Sequence, residues 1–315
     1  METSTYDAIV VGGGPAGFSA AVYAARASLT CLVFEQGLPG GQAATTDMID
    51  NYPGIPNISG AELGDRMREH AEAAGARVAY AMVTSIEQAD DGSFRVQTDA
   101  DEFTARSVIM ATGATPRAAG FAGEETFRGR GVSYCATCDG MFYRGKRVFV
   151  IGGGNSACEE ALFLANIADA VEMVVRRDAF RAPKGMVDRV LVHEKITVRY
   201  QTNIVALKGE SLPERIVFRN TATGAEHAEE YPAGSFGVFV FAGNSPVVDL
   251  VAPLVDVEPD GGVRTDESMA TRTPGLFCAG DMRSKGLRQV VTAAADGAIA
   301  GNAAYRYVEE RYRSR

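Results

Sequence analysis

No run of apolar residues in this chain approaches the ~18 that a bilayer-spanning segment needs, so a membrane protein is not expected. Positive charge is also in short supply. Against 40 Asp and Glu stand 31 Lys and Arg, a formal net charge of -9. Nucleic acids and anionic membranes select clustered Lys and Arg, so neither is expected as a partner. Histidine is down to three and cysteine to five. A structural zinc site needs four ligands brought together. His70, His193 and His227, with Cys31, Cys158 and Cys278, are scattered along the chain, so no metal site is expected. Residues Met1 to Tyr6 lack the basic-then-apolar order of a secretory signal, which predicts a cytoplasmic location. Cysteines there are mostly thiols, and a Cys-x-x-Cys pair is more often catalytic or metal-binding than structural.

Glycine, at 35, is abundant. Many of these glycines fall in turns where backbone approaches phosphate or takes positive φ. At 315 residues the chain exceeds the size at which single cores stop growing, and two domains are expected. Its most informative segment is Cys135-Ala136-Thr137-Cys138, followed at once by Asp139-Gly140. It lies between two glycine fingerprints, Gly12-Gly13-Gly14-Pro15-Ala16-Gly17 and Gly152-Gly153-Gly154-Asn155-Ser156-Ala157. A dithiol between two dinucleotide sites reads as an electron path from a nicotinamide through a flavin to a disulfide.

Each fingerprint sits in the order strand, turn, helix, strand, which is far more specific than the glycines alone. In the first copy an apolar run over 6–11 enters Gly12, Gly14 and Gly17, a helix runs from Pro15 to Ala27, and a second strand ends in Glu35. The helix N-terminus, at Pro15 and Ala16, meets a pyrophosphate and Glu35 takes the adenosine ribose. In the second copy Arg147–Ile151 enters Gly152, Gly154 and Ala157, a helix runs to about Ile167, and a strand spans Ala170–Val175. At the register of Glu35 stands an apolar residue, followed by Arg176, Arg177 and Arg181. Arginine pairs with the 2′-phosphate that an acid would repel. The first site is therefore predicted to hold FAD and the second NADPH.

The long segment between Glu35 and Ala61 is predicted to wrap the flavin, as loops of this length are usually functional. Ala111-Thr112-Gly113, ending a strand that starts near Phe103, returns the chain to the cofactor. So does the short strand at 276–279, which leads into Gly280-Asp281 and a helix over 289–307. The expected fold is α/β, with two Rossmann-like dinucleotide-binding domains, the NADPH domain being inserted into the FAD domain. Residues 1–115 and 245–315 form the FAD domain and 116–244 the NADPH domain with the dithiol. Turn-rich crossings lie at Thr115-Pro116 and Gly243-Asn244-Ser245-Pro246.

With these motifs the chain closely resembles the low-molecular-weight thioredoxin reductases of bacteria over essentially its whole length. The resemblance is carried by GGGPAG, Gly40-Gly41-Gln42, Asn51-Tyr52-Pro53-Gly54, CATCDG, GGGNSA, Arg176-Arg177 with Arg181, Gly280-Asp281 and Arg288-Gln289. It implies a homodimer with one FAD per subunit and thioredoxin or a thioredoxin-like protein as partner. It implies that Asp281 binds the ribityl chain and that Gln42, Asn51, Arg288 and Gln289 lie around the isoalloxazine or the pyrophosphate. Cofactor contacts are also expected at Gln36, Gly41, Val83, Gly243, Asn155, Ser156 and Val290. Following the family, Cys138 is the sulfur nearest the flavin, Cys135 attacks the partner disulfide, Asp139 shuttles a proton, and the NADPH domain swings to present dithiol and nicotinamide in turn. One departure stands out. The family commonly has His before the arginine pair and this chain has Val175, which removes a polar contact near the 2′-phosphate.

Four other readings compete. A zinc site at Cys135 and Cys138 fails on ligand count. A reductase of the same fold could draw electrons from ferredoxin. A related peroxiredoxin reductase would carry an extra N-terminal dithiol domain. A non-enzymatic redox sensor would bind nucleotide without sustained turnover.

Overall fold

The computed structural model describes residues 5–46 and 48–313. The chain divides into two compact units, one made of 1–115 and 245–315 and the other of 116–244. Each is built on a parallel sheet laid down by the strand, turn, helix, strand pattern.

In the first unit the strands Arg77–Tyr80, Cys31–Glu35, Thr5–Val11 and Glu102–Met110 run parallel in that spatial order. The far edge of Glu102–Met110 is shared. Its N-terminal half pairs antiparallel with Phe94–Thr98, itself paired to Val83–Gln88, and Val108–Met110 pairs parallel with Leu276–Cys278. Strand Cys31–Glu35 is buried along its whole length, as parallel strands covered on both faces are.

Two helices, Pro15–Arg26 and Val290–Val308, pack on that sheet. Their facing residues are small: Ala16, Ala20 and Ala24 on one, Gly297, Ala300, Gly301 and Ala304 on the other. A Cβ at Gly297 would run into the carbonyl oxygen of Ala16, and one at Gly301 into that of Ala20. Ser19 Oγ donates to the Ala294 carbonyl at 2.7 Å. Close helix approach is therefore written into the small residues. The segment Gly60–Ala73 forms a third helix, capped by Ser59, whose hydroxyl accepts from the Glu62 N–H at 3.1 Å.

The second unit holds an all-parallel five-stranded sheet in the order Ile196–Arg199, Ala170–Val174, Arg147–Ile151, Phe236–Val240, Val132–Ser133. Helices Asn155–Ala165 and Lys184–Leu191 accompany it. An antiparallel sheet of three strands, Thr202–Lys208, Arg215–Asn220 and Glu226–Glu230, is appended. Phe149, Phe218 and Phe236 fill the core beneath it.

Candidate active site

In the first unit the turn after strand Thr5–Val11 is shaped by absent side chains. Gly12 has φ +107°, and a Cβ there would strike the Ala111 carbonyl. A Cβ at Gly17 would strike the carbonyl of Gly12. Helix Pro15–Arg26 begins with Pro at N1, no side-chain cap and no acid in its first turn, so its first N–H groups face outward as an anion site. Glu35 is buried, and its carboxylate accepts from the N–H of Gly13 at 2.6 Å and of Gly37 at 2.7 Å. The acid is thus fixed at the glycine turn. Gly40 N–H reaches the Gly13 carbonyl at 2.8 Å, which brings the exposed Gly41 and Gln42 beside the same turn.

The second part of the chain supplies Gly280 and Asp281 to the same unit. Gly280 has φ +78°, and a Cβ there would sit 2.8 Å from that of Ala16. Asp281 has a buried Oδ1 with no hydrogen-bond partner among the described residues, and the Lys285 ammonium lies 4.0 Å away. Burial pushes the Asp281 carboxyl above its ordinary range, against the pull of Lys285 and Arg288. A buried carboxylate oxygen without a donor fits a ligand hydroxyl, and the Gly12 cradle fits a pyrophosphate; both are what FAD presents.

Around Asp281, Arg288 Nε donates to the Asp281 carbonyl at 3.3 Å. Asn51 Nδ2 donates to Gln289 Oε1 at 3.0 Å, joining the long loop to the N-cap of helix Val290–Val308. Thr112 Oγ1 donates to the Val247 carbonyl at 2.6 Å, beside Ala111 and Gly113. Val83 is buried at the start of its strand, Gln36 is exposed just past Glu35, and Val290 is half-buried. Asp296 went unnoticed in the sequence. It is buried mid-helix, accepts from Gly280 N–H at 3.1 Å, and pairs with Arg283 at 3.0 Å and Lys285 at 2.9 Å. Its signal was a single acid in a helix otherwise made of small residues there, Ala293 to Ala298.

In the second unit Gly152, at φ +144°, leaves no room for a Cβ against Ala157 and the Phe241 carbonyl, each 2.7 Å away. Helix Asn155–Ala165 again starts without side-chain cap or acid. Asn155 Nδ2 is turned to Glu159 at 2.9 Å, and Ser156 is exposed. Arg176, Arg177 and Arg181 are all exposed, and the Arg181 N–H donates to the Gly153 carbonyl at 2.7 Å. Gly243 is exposed at the unit's edge, its carbonyl accepting from Arg117 N–H at 2.8 Å. Val175 stands at the register of Glu35: it is 2% exposed, and a Cβ at Gly153 would lie 2.9 Å from its Cγ1, as one at Gly13 would from Glu35 Oε2. Its apolar side chain packs with Phe180.

Cys135 and Cys138 are joined by a disulfide, with Cα atoms 5.3 Å apart. Cys135 precedes a single helical turn, Ala136–Asp139, and its sulfur accepts from the Cys138 N–H at 3.2 Å. Ser133 stands on the preceding strand. Its hydroxyl donates to Asp139 Oδ2 at 2.6 Å and accepts from the Cys135 N–H at 3.1 Å. One hydroxyl therefore links the carboxylate to the backbone of the first cysteine. Cys31, Cys158 and Cys278 are buried thiols, pushed up by burial to about 12, 11 and 12. Among the described residues no group of three or more His, Cys, Asp or Glu is placed to hold a metal.

Comparison with known proteins agrees with this geometry. The family described as pyridine nucleotide-disulphide oxidoreductase matches residues 6–297. Thioredoxin reductase of Treponema pallidum is 45% identical over 310 residues, covering 98% of this chain and 99% of its own. That of Peptoclostridium acidaminophilum is 41% identical, with 98% and 99% covered. The crystal structure of thioredoxin reductase from Streptococcus pyogenes superposes with a TM-score of 0.90 at 41% identity, over 98% of this chain and 100% of that one. The enzyme from Giardia duodenalis gives 0.88 at 33% identity, over 96% and 99%.

Proposed function

The chain belongs to the pyridine nucleotide-disulphide oxidoreductase family, as a low-molecular-weight thioredoxin reductase, and on that footing we propose the roles of its residues. It uses NADPH and FAD to reduce, through Cys135 and Cys138, the disulfide of thioredoxin. When bound, NADPH supplies a hydride and FAD an acceptor that passes two electrons to a disulfide.

The Gly12 turn, the first N–H groups of helix Pro15–Arg26, Glu35 and Asp281 hold FAD. The Gly152 turn with Arg176, Arg177 and Arg181 holds NADPH, the guanidinium groups meeting the 2′-phosphate. Cys138 takes the role of the sulfur that exchanges electrons with the flavin, and Cys135 that of the sulfur that attacks the protein partner. In the reduced enzyme the Cys135 thiolate attacks one sulfur of the thioredoxin disulfide, forming a mixed disulfide and releasing a thiolate. Cys138 then attacks Cys135, which re-forms the internal disulfide and releases the second thioredoxin sulfur. Asp139, oriented by Ser133, carries protons for this exchange. The same reading includes a homodimer and a cytoplasmic location; no helix among the described residues is long and apolar enough to cross a membrane.

The observation that carries this reading is the Cys135–Cys138 disulfide beside the Ser133–Asp139 hydrogen bond. It favours an exchanging pair over a zinc site, because both sulfurs are committed to each other. Sustained turnover separates an enzyme from a sensor. Cys135→Ser and Cys138→Ser should each abolish thioredoxin reduction while NADPH still bleaches the flavin absorbance. Disulfide reduction at the wild-type rate by either variant would exclude the pair as the redox centre.

A further inference from the structure

The arginine loop is held in part by a hairpin that lies outside the strand, turn, helix, strand pattern. Three consecutive carbonyls, of Val175, Arg176 and Arg177, accept hydrogen bonds from outside the loop. The donors are Thr202 N–H at 3.1 Å, Thr221 Oγ1 at 2.8 Å and Gln201 N–H at 2.9 Å. Two of these anchors are themselves linked, because Thr221 N–H donates to the Gln201 carbonyl at 2.7 Å. Gln201 adopts φ +48°, a left-handed conformation that a non-glycine residue holds only where its surroundings fix it. At the far end of the loop Arg181 N–H is tied to Gly153.

Thr221 stands at the tip of the hairpin joining Arg215–Asn220 to Glu226–Glu230, a tip closed by Asn220 Oδ1, which accepts from the N–H groups of Ala222 and Thr223. Thr202 and Val175 are buried, whereas Arg176, Arg177, Gln201 and Thr221 are all exposed, so the Thr221 and Gln201 bonds lie at the surface rather than in the apolar core. What they fix is the direction in which two arginine side chains leave the backbone. A bidentate pair with a phosphate depends on that direction, and a loop ordered beforehand loses less entropy on binding.

We propose that Thr221, acting with Gln201, is a positioning residue for NADPH selectivity: the hairpin tip presets the Arg176-Arg177 loop for the 2′-phosphate. The inference rests on the arginines being the 2′-phosphate ligands. Its test uses the FAD-loaded full-length enzyme with 2′,5′-ADP and 5′-AMP as calorimetric probes, beside the Michaelis constants for NADPH and NADH. Thr221→Val removes the hydroxyl and keeps the shape. It should weaken 2′,5′-ADP binding and raise KM for NADPH about three- to tenfold, the worth of one hydrogen bond. Binding of 5′-AMP, KM for NADH and kcat should stay unchanged, and Thr221→Ser should restore the wild-type values.

If Thr221→Val binds 2′,5′-ADP as the wild type does, while Arg176→Ala and Arg181→Ala lose it, the hairpin has no such role. If the arginine variants also keep it, the assignment of the loop fails and the inference falls with it. Equal loss for both probes in Thr221→Val would mean general loosening of the site and would likewise overturn the selectivity claim.

Discussion

At the scale of single residues, Asp281 gives the most direct link between geometry and cofactor. Its folded-state pKa is raised by burial, and Oδ1 has no donor. A flavin ribityl hydroxyl donating to that oxygen favours the carboxylate, so the pKa falls when FAD binds and binding releases a proton. FAD affinity should then be full at pH values above the apoprotein pKa and decline as pH falls through it, down to the lower pKa of the complex. Titration of apoprotein with FAD across the acidic range should show this slope, and Asp281→Asn should flatten it. A wild-type affinity independent of pH would remove Asp281 from the site. Legibility at this scale was uneven. The cysteine pair and the three arginines stood out by type and spacing. Val175 was legible as the apolar residue at the register of Glu35, and it is buried there. Asp296 was hidden because its ion pairs, with Arg283 and Lys285, form only after the helix docks.

At the scale of elements, the contact between Pro15–Arg26 and Val290–Val308 positions the first anion site. Gly297 abuts Ala16, at the start of the first helix, whereas Gly301 abuts Ala20, one turn further in. A methyl group at either place must push the helices apart, a change costing about 1–3 kcal/mol in a packed core. Both Gly297→Ala and Gly301→Ala should lower the melting temperature, but only Gly297→Ala should also weaken FAD binding strongly, because it displaces the helix N-terminus itself. Equal effects of the two on FAD would show that helix position does not tune the site. The strands and helices of the two fingerprint repeats could be read from the sequence to within about two residues, since strand, glycine turn and helix reinforce one another, whereas helices Gly60–Ala73 and Lys184–Leu191 were not read. The appended strands of the second unit were not read. Glu226–Glu230 is polar apart from Ala228 and mostly exposed, so it carries no alternation for a pattern to detect.

At the scale of the molecule, the first unit is assembled from segments far apart in sequence, and its closure can be tested where they meet. Asp7, on the first strand, is buried and pairs with Arg106 at 2.7 Å and with Arg313, near the chain's end, at 2.8 Å. Burial alone would raise its pKa. Hydrogen bonds from Thr30 and Arg106 and the charge of Arg313 outweigh that and hold the carboxyl below its usual range. A depressed folded-state pKa contributes stability that is present above the unfolded value of ~3.9 and is lost as pH falls through the folded value. The interruption of the domain was legible because the Gly280-Asp281 segment makes sense only beside the first fingerprint; this ion pair was not, since neither partner lies in a motif. Arg313→Ala leaves Asp7 with Arg106, and Arg313 is itself partly exposed, so the loss at neutral pH should be modest, about 1 kcal/mol. The loss should shrink toward zero as pH falls below the depressed folded-state pKa of Asp7, where the carboxyl is protonated in both states. Because the proposed FAD ligands come from both segments, Gly12 from one and Asp281 from the other, saturating FAD should raise the urea midpoint of wild type and Arg313→Ala alike. A variant whose stability deficit persisted unchanged through acid pH would show that Arg313 acts by packing rather than by its pair with Asp7.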